Sequence, residues 1–228
     1  MSHLKLILDG MKQGDKNGGP TELAKILSDS LLACEGFDKK DLISRYLHWW
    51  KTDAFDTGPT FAMVFEKVSN GAAIEKAVEE VDTRFNGNTA GCGPAHRIAP
   101  LSAFKTISNG DLVRLSREEA KITHQHPDAG NCSAVMALLC RYLLEGHDWN
   151  DSKNLVYKNK DIKSTWLNIK NANLNNCGYV LDVMHTSIYF LDMDNSLEKS
   201  LSFAGPANYC PVIVGILDNI RKQKKILL

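Results

Sequence analysis

Four of the chain's seven prolines directly follow a glycine: Gly19-Pro20, Gly58-Pro59, Gly93-Pro94 and Gly205-Pro206. Proline suits the first turn of an α-helix, where its missing N–H would have no intrahelical partner. The glycine before it lets another backbone or a ligand come close. The pattern predicts four loop-to-helix joints and confines the chain to a helix-rich fold. Gathered in space, such N-termini would turn unpaired N–H groups and positive dipole ends towards an anion, which points to a phosphate-bearing ligand. Taken singly, each joint is simply where a helix starts. Three of the four carry Asp, His, Arg, Tyr or Cys within a few positions, which favours a shared site.

The apolar period is helical along the chain. Leu23, Ile26, Leu27, Leu31 and Leu32 make one face over 21–35, and Gly36 is expected to end that helix. Asp38 or Asp41 caps the next segment, where Leu42, Ile43, Tyr46, Leu47 and Trp50 repeat the pattern. Residues 60–68 and 72–85 read as two more helices, and Pro127 opens a long one that runs to Gly146. The polar stretch 147–177 reads as a connection with short helical pieces anchored by Trp149 and Trp166. Residues 180–190, 197–203 and 212–221 are helical again, and no convincing period-2 strand pattern occurs. The expectation is an all-α fold, one domain over residues 1–228.

Lys+Arg and Asp+Glu balance at 27 each, so no bulk field draws the chain towards nucleic acid or a membrane. The basic run 221–225 reads as a solvated helix end. The apolar run from Leu4 to Leu8 is too short for a signal peptide, and no stretch approaches the roughly 18 apolar residues of a membrane span. The six cysteines lack C-x-x-C or zinc spacing, which reads as reduced thiols in a cytoplasmic protein.

Several residues could carry chemistry. Asp53 and Asp56 precede Gly58-Pro59, where a carboxylate can cap a helix, hold Mg²⁺ or act as a base. His96-Arg97 follow Gly93-Pro94, and an arginine beside a helix start suits phosphate or an ion pair. His124 and His126 form an H-x-H without an evident third metal ligand. Cys92, Cys132 and Cys210 are candidate nucleophiles or ordinary packing.

The ordered segments GMKQGDKNGGPTELAKILSDSLL, YLHWWKTDAFDTGPTF, GCGPAHRIAPL, THQHPDA, GYVLDVMHTSIYFL and FAGPANYCPVIVG resemble the ADP-ribosylglycohydrolase family. That family's pattern runs G-D-A-L-G, D-D-T-Q-M-A-L, Y-x-x-W, D-x-G-x-T, G-N-G-x-x-M-R-x-A-P, T-H, G-Y-V-x-D-x-L and G-G-D-x-D-T. The resemblance implies a compact all-α domain that hydrolyses the glycosidic bond between ADP-ribose and a side chain or other acceptor. It also implies a pair of Mg²⁺ ions in a cleft at the helix ends. The first metal-binding D-D-T is Gly19-Pro20-Thr21 here, and the last G-D-x-D-T is Gly205-Pro206-Ala207-Asn208-Tyr209. The loop between G-D-A-L-G and D-D-T is missing, because Gly14-Asp15 runs almost directly into Gly18-Gly19-Pro20. Asp56 and Thr21 are what remains of the Mg²⁺ ligands, with Asn208 in place of a carboxylate, a poor substitute for two hard cations.

The resulting expectation is a divergent active site. Asp56, Asp15 or Glu22 activates water, while Asn17, Thr21, Thr57, Cys92, His96, Arg97, His124, Asn208, Tyr209 and Cys210 hold the ligand. The implied function is hydrolysis of an ADP-ribosyl, or related ribosyl, N- or O-glycosidic bond with altered metal dependence. The alternatives are a non-catalytic module that binds ADP-ribose or a nucleotide, and a partner-binding helical domain. The expected partner is an ADP-ribose-like or phosphate-bearing small molecule, or an ADP-ribosylated protein.

Overall fold

The computed structural model describes residues 2–207 and 209–226. Among these the chain is all-helical, with thirteen α-helices and one 3₁₀ turn. In order they are α1 (His3–Gly14), α2 (Gly19–Ala33), α3 (Lys39–Thr52), α4 (Pro59–Ser69), α5 (Ile74–Arg84) and α6 (Gly93–Arg97). After the 3₁₀ turn (Ala99–Ala103) come α7 (Asn109–Ala120), α8 (Pro127–Leu144), α9 (Trp149–Lys158) and α10 (Lys163–Lys170). The chain closes with α11 (Val180–Leu191), α12 (Ser196–Ala204) and α13 (Cys210–Ile226). The one extended pairing is an antiparallel bridge between Gly91 and Tyr179, with Val180 N–H on Ala90 O at 2.9 Å and Cys92 N–H on Gly178 O at 3.0 Å. No described helix is long and apolar enough to cross a membrane.

Helix α8 is the axis of the core. Nearly every residue from Ala129 to Leu143 is buried, so it is apolar all round rather than on one stripe, as a helix enclosed on every side must be. Around it pack α7, α6, α9, α10, α11, α13 and the 3₁₀ turn. Its one buried cation, Arg141, donates to three backbone carbonyls: Ser102 at 2.7 Å, Ile107 at 2.9 Å and Phe104 at 2.8 Å. These carbonyls belong to the segment after α6, so Arg141 fixes the chain immediately behind the cavity described below.

The helix ends explain most boundaries. Asp38 caps α3 by accepting from Lys40 N–H and Asp41 N–H. At the end of α2 the left-handed residue is Glu35 (φ 53°), not the glycine, and Gly36 N–H reaches back to Leu31 O at 3.0 Å. That 6→1 bond makes Gly36 the second residue past the helix rather than its stop. Three Gly-Pro pairs open α2, α4 and α6 as expected. The fourth does not. Gly205 (φ 58°) ends α12, and the last helix begins at Cys210-Pro211.

Helices α1 and α7 fall where the sequence reading placed none. Helix α1 is held by backbone contact with α13 through three glycines. A Cβ on Gly14 would sit 1.9 Å from Pro211 O, and one on Gly215 would sit 2.4 Å from Gly10 O. Since neither helix can retreat without opening the core, Gly14→Ala is expected to cost about 2–3 kcal/mol. Urea unfolding of the variant reads this directly, and a midpoint equal to the wild type's would mean that α1 is not seated against α13.

Candidate functional site

A cavity of about 900 Å³ opens between the starts of α2, α4 and α6, the segment 88–92, Gly178-Tyr179, and Pro206, Ala207 and Tyr209. All four Gly-Pro segments therefore meet at one place, although only three of them begin helices. Asp182, in the first turn of α11, accepts from Asn173 N–H at 2.9 Å and from Asn175 and Cys177 side chains, and so orders the loop that delivers Gly178 and Tyr179. Tyr179 stands partly exposed on the wall, its hydroxyl donating to Asp128 Oδ2 at 3.1 Å.

The N-terminus of α2 is already satisfied from within the protein. Asp15 accepts from Gly18 N–H and Thr21 N–H, both at 2.8 Å, and from the Thr21 hydroxyl at 2.6 Å. Asp56 accepts from Gly19 N–H at 3.3 Å and from Asn17 Nδ2 at 3.4 Å. Two carboxylates at a helix N-terminus are favoured by its dipole. This corrects the expectation that the α2 amides are offered to a ligand. The α4 terminus differs: Gly58 has no side chain to cap it, and Gly58 to Phe61 lie on the cavity wall.

These residues do not fit a Mg²⁺ pair. No group of three or more His, Cys, Asp or Glu among the described residues is placed to hold a metal. The backbone also stands in the way. Asp56 adopts a left-handed conformation (φ 47°) that brings its carbonyl oxygen to 2.4 Å from where a Cβ on residue 19 would lie. A carboxylate at position 19, as the family pattern has, could not be accommodated with the Asp56 loop as it stands.

Arg97, on the wall, and Glu119, behind it, form an ion pair with 1% and 0% side-chain exposure, Nε to Oε1 at 2.6 Å. Tyr46 adds its hydroxyl to the same oxygen at 3.1 Å, and the guanidinium lies 5.5 Å from the Tyr46 ring centroid and 5.8 Å from that of Phe61. Arg97 Nη2 donates to Thr123 Oγ1 at 2.9 Å. The arginine expected to hold a phosphate thus has its charge balanced within the fold.

Two buried histidines line the cavity. Burial lowers His96 to about 4, although Asp15 and a hydrogen bond to the Tyr209 backbone pull upwards. Burial and then the Arg97 charge lower His124 to about 3. Both rings are neutral at neutral pH. His96 Nε2 has no partner among the described residues. A buried polar atom left open on a cavity wall is where a ligand hydrogen bond fits. Burial also pushes the Cys92 and Cys210 thiols up to about 12 and raises Cys132, which argues against a thiolate nucleophile.

Of the expected site residues, Asn17, Asp56, Thr57, Cys92, His96, Arg97, His124 and Tyr209 line the cavity. Asp15 and Thr21 sit beneath the wall, bonded to each other. Glu22 pairs with Lys25 at 2.7 Å and does not reach the cavity, and Cys210 is buried away from it. Asn208 lies outside the described residues. The sequence reading missed Phe61, Asn88 and Tyr179 on the wall and Glu119 and Thr123 behind it. For Tyr179 the signal was present in the G-Y-V-x-D segment.

The all-helical fold gathers its four Gly-Pro segments around one cavity of about 900 Å³, within the size range of small-molecule sites. The ADP-ribosylglycohydrolase family pattern matches residues 15–207, and the chain belongs to that family. It is 31% identical over 129 residues to ADP-ribosylhydrolase ARH3 of Homo sapiens, a match covering 55% of this chain and 35% of that protein. It is 22% identical over 205 residues to ADP-ribosyl-(dinitrogen reductase) glycohydrolase of Rhodospirillum rubrum, covering 86% of this chain and 66% of that protein. The chain thus spans about a third of the length of the human relative and 66% of the bacterial one. A solved structure described as an ADP-ribosylglycohydrolase-related protein complex superposes with a TM-score of 0.74 at 21% identity, over 96% of this chain and 88% of that one. At that identity the likeness speaks for the fold.

The two histidines set a pH dependence whose sign is fixed. An unfolded histidine binds its proton near 6.5, whereas the folded rings hold out to about 4 and about 3. Between those limits the unfolded chain binds more protons, so stability rises with pH. Urea midpoints are expected to be flat above about pH 7 and to fall as the pH drops towards 4, with a slope approaching two protons. A flat profile across that window would mean that neither ring is buried neutral.

Proposed function

We propose that the chain hydrolyses an ADP-ribosyl N- or O-glycosidic bond without the paired Mg²⁺ ions of its family, with Asp56 as the general base. Family membership supplies the reaction class. The observation that carries the assignment is that Asp56 is the one carboxylate on the cavity wall among the described residues. Gly19 N–H and Asn17 Nδ2 hold it in place. A water beside it would give its proton to the carboxylate as the oxygen bonds to the anomeric carbon. The bond to the acceptor breaks, the released acceptor takes up a proton, and the proton on Asp56 returns to solvent. The uncapped start of α4 supplies amide donors to the anionic part of the ligand. The partner is then an ADP-ribosylated protein or small molecule in the compartment where the chain resides.

One observation favours a second reading, in which the cavity binds ADP-ribose without cleaving it. Asp56 accepts from Gly19 N–H and Asn17 Nδ2, so the protein itself occupies acceptor positions that a water held for catalysis would need.

The two readings separate in one pair of measurements. Calorimetric titration with ADP-ribose in EDTA is expected to show binding, with added Mg²⁺ making no difference. Release of ADP-ribose from ADP-ribosylated substrates is expected to persist in EDTA. Asp56→Asn is expected to lower that release at least about 100-fold while leaving ADP-ribose affinity within about threefold. Unchanged release in the variant would remove Asp56 from the role of base. Binding without any release by the wild type would leave the second reading standing.

A further inference from the structure

Thr123 has a single hydroxyl proton and sits between two nitrogens. It accepts from Arg97 Nη2 at 2.9 Å, and its oxygen lies 2.7 Å from His124 Nδ1. A guanidinium only donates, so the Arg97 contact consumes a lone pair and leaves the Thr123 proton to be placed. Thr123 is 1% exposed, and its oxygen has no further partner among the described residues. If Nδ1 carried the imidazole proton, the hydroxyl proton would be buried without an acceptor, at a cost of about 1–3 kcal/mol. If Nδ1 is the acceptor, the Thr123 hydroxyl proton has its partner. The positive guanidinium reinforces this choice, because it polarises the hydroxyl towards donation and weakens its oxygen as a second acceptor.

The far side of the ring faces the cavity. His124 Nε2 would lie 3.0 Å from a Cβ on Gly91, and both residues are on the wall. The missing side chain at position 91 leaves that nitrogen room. The neutral state of the ring means that one nitrogen alone bears hydrogen.

We propose that Arg97 and Thr123 are positioning residues that hold His124 in one tautomer, so that its Nε2–H is presented to the cavity as a neutral hydrogen-bond donor. The ligand group it suits is an acceptor oxygen, a phosphate or a carbonyl, rather than a hydroxyl proton. Glu119 belongs to the same assembly, since Oε1 receives Arg97 Nε and the Tyr46 hydroxyl and keeps the guanidinium aimed at Thr123. Arg97 thus acts on the ligand through a neighbour, in addition to whatever its Nη1, 3.7 Å from a Cβ on Gly93, meets in the cavity. The part of this inference that concerns a ligand rests on the ADP-ribose reading above, whereas the part that concerns the tautomer does not.

The test uses Thr123→Val, which removes the hydroxyl at nearly constant shape, and Thr123→Ser, which keeps it. In the wild type and the serine variant, ¹⁵N spectra of the histidine rings are expected to give His124 an unprotonated Nδ1 and a protonated Nε2. In the valine variant the proton is expected to move to, or be shared with, Nδ1. A protonated Nδ1 in the wild type, or a valine variant that keeps the wild-type tautomer, would overturn the positioning role. Calorimetry with ADP-ribose is expected to show roughly tenfold weaker binding for the valine variant and unchanged binding for serine. Equal affinity of all three would overturn the donor role of Nε2. Absence of ADP-ribose binding by the wild type would overturn that donor role together with the ligand reading, while the ring spectra would still decide the tautomer. If the valine variant fails to fold, the wild-type and serine spectra alone decide it.

Discussion

A helix that begins inside a protein wall must find partners for its first N–H groups, and the rest of the site follows from how α2 finds them. Asp15 and Asp56 reach it from two other segments and take Gly18, Gly19 and Thr21. Because Asp56 comes from the loop before α4, the same contact ties α2 to the opposite wall of the cavity. The amide hydrogens at the start of α2 supply the partial positive charge that both carboxylates face. The tie also has a steric condition, a residue 19 without Cβ, and the chain meets it with glycine.

The second constraint is charge. The cavity wall holds one carboxylate, one arginine and three histidines among its described residues, yet little net charge faces the ligand. Arg97 is neutralised by Glu119 in a setting with almost no solvent. Such a pair adds little net stability, because the two desolvation costs offset the attraction, and its effect lies in orientation. It fixes where the guanidinium points, which is at Thr123. His96 and His124 are kept neutral by burial, so each of their ring nitrogens is either a donor or an acceptor and not both.

Much of the fold was legible in the sequence, and the parts that were not share a cause. Helices α2, α4, α5, α8 and α11 are legible within a few residues because each carries its own apolar pattern, a stripe or, in α8, nearly the whole circumference, and its own punctuation. Helix α1 was not, since its short apolar run looks weak alone and is stabilised by glycine contacts some 200 residues away in sequence. Helix α7 alternates charge with apolar residues so evenly that its stripe of Leu112, Val113, Leu115 and Ser116 passed unnoticed, although Ser108 and Asp111 cap it plainly. Missing α7 had a consequence for the site, because Glu119 is on it. Without Glu119 in view, Arg97 reads as a free cation beside a helix start and invites assignment as a phosphate clamp. The fourth Gly-Pro pair misled in the opposite way. Glycine at a helix end and proline just after it are as natural a stop as they are a start.

The resemblance gave the right segments, but at Gly19-Pro20 and Gly205-Pro206 this chain has no carboxylate where the family pattern has one. At residue 19 the Asp56 carbonyl oxygen occupies the space a Cβ would need, while Pro20, Pro206 and Ala207 line the cavity without a carboxylate. A carboxylate at position 19 would therefore require the Asp56 loop to move first. Asp15 and Asp56 are both bonded, and the buried polar atoms without a partner among the described residues that lie at or behind the wall are His96 Nε2, a neutral ring nitrogen on the wall, and Glu119 Oε2 behind it.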